Sequence, residues 1–138
     1  MTAYVLDASL AAAWFLPDEA SEAADGLLGN VLADSPVVPS LFRHELRNLL
    51  LFAERRGRLA ASDVDEALVK VSTLPIAVRE ADGDRDILNL ARKYALTAYD
   101  AAYLELAMRE HAPLATLDKR LAAAAAAERV AVLGPLAP

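Results

Sequence analysis

The chain has 138 residues, of which 14 are basic and 20 acidic, so its formal net charge is −6. This length predicts one domain with a single core, and the negative charge argues against broad, non-specific binding of phosphate groups. Because the sequence has no cysteine, disulfides, zinc–thiolate sites and cysteine nucleophiles are excluded. Residues 1–4 lack a basic leader and no apolar run reaches membrane-spanning length, so we expect a soluble, cytoplasmic protein.

Short apolar segments alternate with helical segments along the whole chain. Strands are predicted at residues 3–6, 36–39, 75–78, 113–117 and 130–133. Helices are predicted at residues 10–16, 19–32 with interruptions at Gly26 and Gly29, 40–56, 62–71, from the turn at 82–86 to about 94, from 97 onward, and 119–129. This alternation predicts one α/β domain over residues 1–138, with a parallel sheet covered by helices on both faces.

Local signals set the expected ends of several helices. Pro17 is expected to end the first helix, and Ser40 and Ser62 are expected to cap the helices that follow them. Gly57 is expected to stop the helix that begins at Ser40. The acidic segment 82–86 is predicted to be a helix-capping turn, because it lacks the glycine and the final glutamate of a calcium loop.

The segment TAYDAAYLELA at residues 97–107 predicts a buried helix capped by Thr97. Asp100 begins a mostly apolar face, which continues at helical spacing through Tyr103, Leu104, Ala107, Met108 and His111. A carboxylate on such a face is costly unless a positive charge meets it. The alternative is structural, since Thr97 and Asp100 also approximate a capping box and an acid in the first turn suits the helix dipole.

Two further acids follow predicted strands. Asp7 ends the first strand and Asp118 ends the strand at 113–117. In an open α/β sheet the ligand crevice lies outside the carboxyl ends of the strands, so both side chains could reach it. Each could instead be the N-cap of the next helix, and the sequence leaves both interpretations open.

Glu45 lies in the middle of a predicted helix, where capping cannot explain it. Its helical neighbours are Leu41, Asn48, Leu49 and Phe52. Arg43 and Arg47 fall on roughly the opposite side and are expected to point outward. We therefore expect Glu45 on the buried face, either as a site residue or as a salt-bridged core acid.

Together, Asp7, Glu45, Asp100 and Asp118 are expected to meet at one mouth of the sheet. Carboxylates about 4 Å apart repel by about 4 kcal/mol at an effective dielectric of 20, so the cluster requires a cation or a shared proton. Oxygen ligands without nitrogen or sulfur favour Mg²⁺ or Mn²⁺, which suits metal-assisted hydrolysis of a phosphodiester. The hydroxyls of Ser9 and Thr116 could orient a water or a phosphate oxygen, or could be ordinary turn and cap groups.

The order and spacing of these pieces resemble those of the PIN domain family, most closely its VapC toxins. The matching segments are VLDAS at 5–9, Glu45 after a Pro-Ser turn, YDAAYLELA at 99–107 and ATLD at 115–118. The resemblance maps the family's acidic quartet onto Asp7, Glu45, Asp100 and Asp118, with Ser9 and Thr116 as supporting hydroxyls. The fourth acid varies most within the family, which makes Asp118 the less secure ligand.

The resemblance implies a parallel sheet of four or five strands and a Mg²⁺- or Mn²⁺-dependent endoribonuclease. It also implies a homodimer and a VapB-like antitoxin that lays an apolar segment in a groove and a basic side chain in the acidic site. Leu10, Trp14, Phe15 and Leu16 are candidates for that groove, although each could be ordinary core. Arg56 lies on the azimuth of Glu45 and is a candidate contact for RNA backbone.

Other functions fit the sequence less well. A haloacid-dehalogenase-like phosphatase needs an Asp-x-Asp pair, where this chain has Asp7-Ala8-Ser9, and a receiver domain needs paired acids before its strand-end aspartate. A structure-specific DNA nuclease needs basic regions that have no room here. The open alternatives are a PIN-like nuclease that is not a toxin and a catalytically silent module that binds RNA or protein.

Overall fold

The computed structural model describes residues 3–80 and 83–138. Within that part of the chain, short strands lie at Val5–Leu6 (β1), Val37–Val38 (β2), Ala77–Val78 (β3), Leu114–Ala115 (β4) and Val132–Leu133 (β5). The α-helices lie at Ala8–Ala13 (α1), Glu22–Gly29 (α2), Val31–Asp34 (α3), Phe42–Arg55 (α4), Ala61–Ser72 (α5), Asp84–Tyr94 (α6), Ala98–Arg109 (α7) and Lys119–Ala127 (α8). A 3₁₀ turn at Pro17–Glu19 separates α1 from α2.

The strands form one parallel sheet in the order β3-β2-β1-β4-β5. Val5 pairs with Val37 on one side and with Leu114 on the other, which makes β1 the central strand. Since parallel crossovers are right-handed, the chain places α1–α5 on one face while it builds β1, β2 and β3, and α6–α8 on the other. The predicted α/β architecture with a sheet of four or five parallel strands is confirmed, with five strands.

The strand order reverses between β1 and β4. From β1 the chain moves outward to β2 and β3, then returns to the opposite side of β1 to form β4 and β5. Such a switch point opens a crevice at the carboxyl ends of the two strands that flank it. Asp7 and Thr116 directly follow those two strands.

Several helix ends differ from the predictions. Pro17 begins the 3₁₀ turn rather than ending a helix, because α1 already stops at Ala13. Gly26 lies inside α2, which continues to Gly29, so it does not interrupt the helix. Ser40 and Ser62 are not caps, since α4 begins after Leu41 and α5 begins after Ala60. In α5, the Asp63 carboxylate instead accepts a hydrogen bond from the Ala60 N–H at 2.9 Å.

Other local predictions are confirmed. The Thr97 side chain caps α7, and Gly57 follows the end of α4 with a φ of 74°, a left-handed conformation that glycine adopts without strain. Helix α6 ends at Tyr94 as predicted, but the acidic segment before it supplies no side-chain cap, because Gly83 is the N-cap and Asp84 and Asp86 lie in the first turn of the helix. Asp82 lies outside the described residues, as do Met1 and Thr2. None of the described helices is both long and apolar enough to cross a bilayer.

Helix α4 buries a different stripe from the one predicted. Its buried side chains are Phe42, Leu46, Leu50 and Ala53, whereas Leu49 is 37% and Phe52 47% exposed. Arg43 does not point outward, because its guanidinium donates to the Leu68 carbonyl at 2.9 Å on α5. The stripe that carries Glu45 is therefore apolar but borders solvent.

Candidate active site

Asp7 ends β1 with its carboxylate turned into the crevice at the switch point. The Asp7 N–H donates to the Ala115 carbonyl at 2.9 Å, which fixes the backbone against β4. Although Asp7 occupies the N-cap position of α1, its side chain makes no capping hydrogen bond. Instead, Asp7 Oδ2 accepts hydrogen bonds from Ser9 Oγ at 2.6 Å and from Thr116 Oγ1 at 2.7 Å. These two hydroxyls position the carboxylate.

The loop after β4 is held by the same two hydroxyls. The Leu117 N–H donates to Ser9 Oγ at 3.0 Å, and the Asp118 N–H donates to Thr116 Oγ1 at 3.0 Å. Thr116 is fully buried beneath the crevice. The Asp118 carboxylate caps α8, because its Oδ1 accepts from the Leu121 N–H at 3.0 Å. For Asp118 the capping interpretation is therefore correct. The same side chain also lines the crevice, where its second carboxylate oxygen, Oδ2, is not used by the cap.

Helix α7 brings Asp100 to the crevice. The Asp100 N–H donates to Thr97 Oγ1 at 3.1 Å, which fixes the first turn of the helix. Behind that turn α7 is buried through most of its length and contacts β1 and β4. Of the predicted apolar face, Tyr103, Leu104 and Ala107 are buried, but His111 is exposed. A core-packed helix thus presents Asp100 at its accessible end.

Glu45 reaches the crevice from α4, on the other face of the sheet. One of its oxygens, Oε1, is buried and has no hydrogen-bond partner of good geometry among the described residues. The buried Tyr103 hydroxyl faces the same carboxylate and lowers its pKa, although it too lacks such a partner there. Tyr103 was predicted only as a core residue, and its place beside Glu45 depends on how α7 packs against β1 and β4.

All four predicted acids line one cavity of about 220 Å³. Its lining residues are Asp7, Ala8, Ser9, Glu45, Asn48, Leu49, Asp100 and Asp118. Asn48 was not proposed from the sequence as a site residue. Its position one helical turn after Glu45 was the signal that could have found it.

The electrostatics show that this clustering is unfavourable for bare carboxylates. Burial, then the nearby charges of Asp100 and Asp118, raise the pKa of Asp7 to about 6 against the opposing effect of its two hydroxyl donors. Burial, then the charges of the other acids, raise the pKa of Glu45 to about 7. Burial and the charge of Asp118 also raise the pKa of Asp100. Each shift means that a nearby cation would stabilise the charged form.

The chemistry of the lining fits a hard divalent cation. Every charged group in it is a carboxylate, the Asn48 amide and the Ser9 hydroxyl add neutral oxygens, and a buried Glu45 oxygen has no good partner in the described chain. Mg²⁺ and Mn²⁺ prefer such oxygen ligands. Among residues 3–80 and 83–138, however, no three acidic or histidine side chains are arranged to hold an ion as they stand. The donor types therefore fit, while the side-chain positions form a cavity rather than a closed coordination cage.

A second cavity, of about 310 Å³, continues from the first along α4. The two share Ser9 and Leu49, and the second is further lined by Ala12, Leu16, Glu19, Phe52, Ala53, Arg56 and Arg58. Arg58 is engaged by Asp18 and Glu19, with nitrogen–oxygen distances of 2.7 Å to each. The exposed Arg56 thus borders a cleft that leads to the acids.

The four residues of the groove predicted from the first helix lie in different surroundings. Leu10 is fully buried in the core, and Trp14 packs edge-on against Phe15 while its indole N–H donates to the Ala24 carbonyl at 2.9 Å. Trp14 and Phe15 are half-buried and line a neighbouring cavity of about 420 Å³ together with residues of α5. Leu16 lines the cavity beside the acids. The apolar surface near the site is therefore formed mainly by Leu49 and Phe52.

The chain matches known proteins over most of its length. It is 34% identical over 121 residues to Ribonuclease VapC3 of Pyrobaculum aerophilum, which covers 86% of this chain and 91% of that protein. The crystal structure of PAE2754 from Pyrobaculum aerophilum superposes with a TM-score of 0.68 at 27% identity, covering 89% of this chain and 79% of that one. A toxin–antitoxin complex from Klebsiella pneumoniae has the same fold, with a TM-score of 0.60 at 15% identity over 87% of this chain and 90% of that one.

The family comparison covers almost the whole fold. The model of the PIN domain matches residues 4–127, a range that begins one residue before β1 and ends with α8. The acidic cavity lies within this range. On both the sequence match and the fold, the chain belongs to the PIN domain family.

Proposed function

We propose that this protein is a Mg²⁺- or Mn²⁺-dependent endoribonuclease that acts as the toxin of a toxin–antitoxin pair in the cytoplasm. The observation that carries the proposal is the single cavity lined by Asp7, Glu45, Asp100 and Asp118 at the carboxyl edge of the sheet. Support comes from the similarity to a protein named as a ribonuclease over 86% of the chain. The acids reach this cavity from four separate parts of the chain, which ordinary helix capping does not explain.

The proposed roles follow from how each side chain is held. Asp7, Glu45 and Asp100 would hold the cation, with Asp118 as a weaker contributor because its Oδ1 already caps α8. Ser9 and Thr116 would keep the Asp7 carboxylate in place, since both donate to its Oδ2. When bound, the cation supplies neutralising charge for the scissile phosphate and activation of the attacking water.

The test is RNA cleavage by a purified Asp100→Asn variant in the presence of Mn²⁺. We expect a loss of at least about 100-fold in rate with an unchanged fold, because the amide keeps the shape of the carboxylate but not its charge. Asp84→Asn is the matched control, since Asp84 is an exposed aspartate in the first turn of the neighbouring helix α6. Undiminished cleavage by a pure Asp100→Asn preparation would refute the proposed site.

We further propose that an antitoxin segment covers the cavity lined by Leu16, Leu49 and Phe52. Leu49 and Phe52 are exposed and offer apolar area directly beside the acids, so a peptide with an apolar stretch and one basic residue would match both. The fold shared with a toxin–antitoxin complex agrees with this partner. A homodimer is likewise proposed, on the family resemblance alone.

Expression in bacteria tests the toxin part of the proposal. We expect growth arrest when the chain is expressed alone, and normal growth when the short reading frame adjacent to its gene is co-expressed. Asp100→Asn should be harmless in the same cells. If expression is harmless and the purified protein still cleaves RNA in vitro, the protein is a nuclease that is not a toxin. If the purified protein binds RNA or a protein partner but cleaves nothing, it is a catalytically silent module.

A further inference from the structure

Three buried side-chain oxygens in the described part of the chain lack a hydrogen-bond partner of good geometry, namely the hydroxyls of Tyr4 and Tyr103 and Oε1 of Glu45. Such atoms are rare in folded proteins, because burying a polar group without a partner is costly. Tyr103 and Glu45 face each other, and Glu45 lines the acidic cavity. Tyr4 lies before β1, at the opposite end of the central strand from Asp7. Two of the three atoms therefore belong to the surroundings of the site.

Helix α7 places the Tyr103 hydroxyl beneath the cavity. Asp100 and Tyr103 are three positions apart on this helix, so they lie on the same side of it. Asp100 is at the accessible end, whereas the Tyr103 ring is one turn deeper and fully buried. Burial, then the charges of Asp7 and Glu45, raise the pKa of the phenol, which shows that the hydroxyl lies close to both acids.

The Tyr103 hydroxyl has a donor on one side and an acceptor on the other. The backbone N–H of Ala8 acts on the phenol oxygen and favours its ionised form, as a hydrogen-bond donor does. Asp7 makes no capping bond at this end of α1, so it does not compete for that N–H. A phenol has one proton to donate, and here the proton is left for the Glu45 carboxylate.

Glu45 needs such a donor more than the other acids do. Two hydroxyls hold the Asp7 carboxylate, and the Leu121 N–H holds that of Asp118. For Glu45, the Tyr103 hydroxyl is the one hydrogen-bond donor that acts on the carboxylate among the described residues. Because Oε1 is buried and the side chain lines the cavity, a donor on Oε1 leaves Oε2 for the cavity.

We infer that the Tyr103 hydroxyl donates to Oε1 of Glu45 and thereby turns Oε2 toward the cation site. The inference rests on the proposed metal-dependent function and adds a positioning residue to it. Tyr103 touches neither the cation nor the substrate, and it acts through Glu45. One helix, α7, thus carries the ligand Asp100 and also orients a second ligand that comes from the other face of the sheet.

The first test is the affinity for Mn²⁺, measured by isothermal titration calorimetry at one fixed pH without RNA. Tyr103→Phe removes the hydroxyl and keeps the buried ring. We expect it to weaken Mn²⁺ binding by about 10- to 100-fold, the usual effect of losing a group that orients a metal ligand. Tyr4→Phe is the matched control, because it also removes a buried hydroxyl without a good partner, but away from the acids. It should bind Mn²⁺ like the wild type, and circular dichroism verifies that both variants are folded.

A Glu45→Ala background distinguishes positioning from a general loosening of the cavity. Glu45→Ala removes the group through which the hydroxyl acts, while the other three acids retain weaker binding. Tyr103→Phe should therefore cause no further loss of Mn²⁺ affinity in this background. In RNA cleavage, the loss of rate caused by Tyr103→Phe should largely disappear at saturating Mn²⁺, and the KM for RNA should not change.

A measurement on the metal-free protein separates the inference from the proposed activity. The carboxyl carbon of Glu45, labelled with ¹³C and assigned by its absence in Glu45→Ala, should change its chemical shift in Tyr103→Phe but not in Tyr4→Phe. If the wild type binds no Mn²⁺ and this signal moves, the proposed metal dependence fails and the hydrogen bond from Tyr103 to Glu45 stands.

Two results would overturn the inference and leave the ribonuclease proposal intact. The first is a Tyr103→Phe variant with wild-type Mn²⁺ affinity and an unmoved Glu45 signal. The second is an equal loss of affinity with and without the Glu45 carboxylate, which would make Tyr103 a packing residue of the core.

Discussion

The Asp7 carboxylate is held by hydroxyl groups in a position where burial opposes its charge. Ser9 and Thr116 both donate to it, at 2.6 Å and 2.7 Å, yet its pKa is raised to about 6. The hydrogen bonds favour the anion, but burial and the neighbouring acids outweigh them. Such a group stores unfavourable free energy that a bound cation, or a neutral substitution, would release.

Asp7→Asn should therefore remove activity without a loss of stability. In metal-free buffer at pH 8, its free energy of unfolding should equal or exceed that of the wild type, by up to about 3 kcal/mol. The reason is that the amide oxygen can still accept from both hydroxyls while no charge is buried. Urea titration of the two proteins gives the comparison, and RNA cleavage with Mn²⁺ is expected to be lost.

A matched control for this substitution is Asp65→Asn on the exposed face of α5. It should leave both cleavage and stability close to their original values. A destabilisation of Asp7→Asn by more than about 2 kcal/mol at pH 8 would contradict the prediction, because it would make Asp7 a structural residue.

At the scale of elements, helix α7 joins the core to the site. Its middle is buried against β1 and β4, so its direction is fixed by packing, whereas its first turn depends on the Thr97 cap. The Asp100 N–H donates to Thr97 Oγ1 at 3.1 Å, and Asp100 lies in that same turn. The cap should therefore affect both stability and activity.

Thr97→Ala should lower the free energy of unfolding by about 1 kcal/mol and Tm by about 4 °C. We also expect a several-fold decrease in kcat, since fraying of the first turn would move Asp100. Thr97→Ser keeps the capping oxygen and serves as the control. Thermal unfolding by circular dichroism measures the first effect and RNA cleavage the second. If Ser and Ala behave alike, the hydroxyl is not responsible.

Helix α4 shows how one element serves both the core and the site. Phe42, Leu46 and Leu50 enter the core, and the adjacent stripe carries Glu45, Leu49 and Phe52 along the cleft. Both stripes are apolar in sequence, so helical periodicity does not distinguish them. The exposed stripe provides the apolar surface proposed for the antitoxin.

For the whole molecule, the acidic cavity should make stability depend on pH and on divalent cations. The pKa values of Asp7 and Glu45 in the folded chain, about 6 and about 7, lie above the ordinary values of 3.8 and 4.5 for these side chains. The folded state therefore binds more protons than the unfolded state between these values. The stabilisation that protonation of these two carboxyl groups contributes is fully present below about pH 4. It is lost as the pH rises through about 6 and about 7.

In metal-free buffer, Tm should fall as the pH increases from about 5 to about 7.5, and Mn²⁺ or Mg²⁺ should raise it again at the upper end. The lowered pKa values of Asp18 and Glu128 have the opposite effect, but only at lower pH, where those groups titrate. Differential scanning calorimetry across this range is the measurement. A Tm that does not respond to either cation at pH 7.5 would count against a shared ion.

The sequence by itself determined the class of fold and the identity of the acids. Apolar strands that alternate with helices require a sheet covered on both faces, and Thr97 and Gly57 mark helix ends through local chemistry alone. These features are local, because each depends on residues within a few positions of one another. The roles of Asp7, Glu45, Asp100 and Asp118 remain predictions.

Only the tertiary structure decided which side chains meet and which surfaces remain open. Thr116 bonds to Asp7 across 109 residues because β4 lies beside β1, and no local pattern specifies that neighbour. Leu10 proved to be core and Phe52 to be surface, although both are apolar residues of amphipathic helices. Burial depends on what packs against a face, and that is set by the order of the strands and the direction of the crossovers between them.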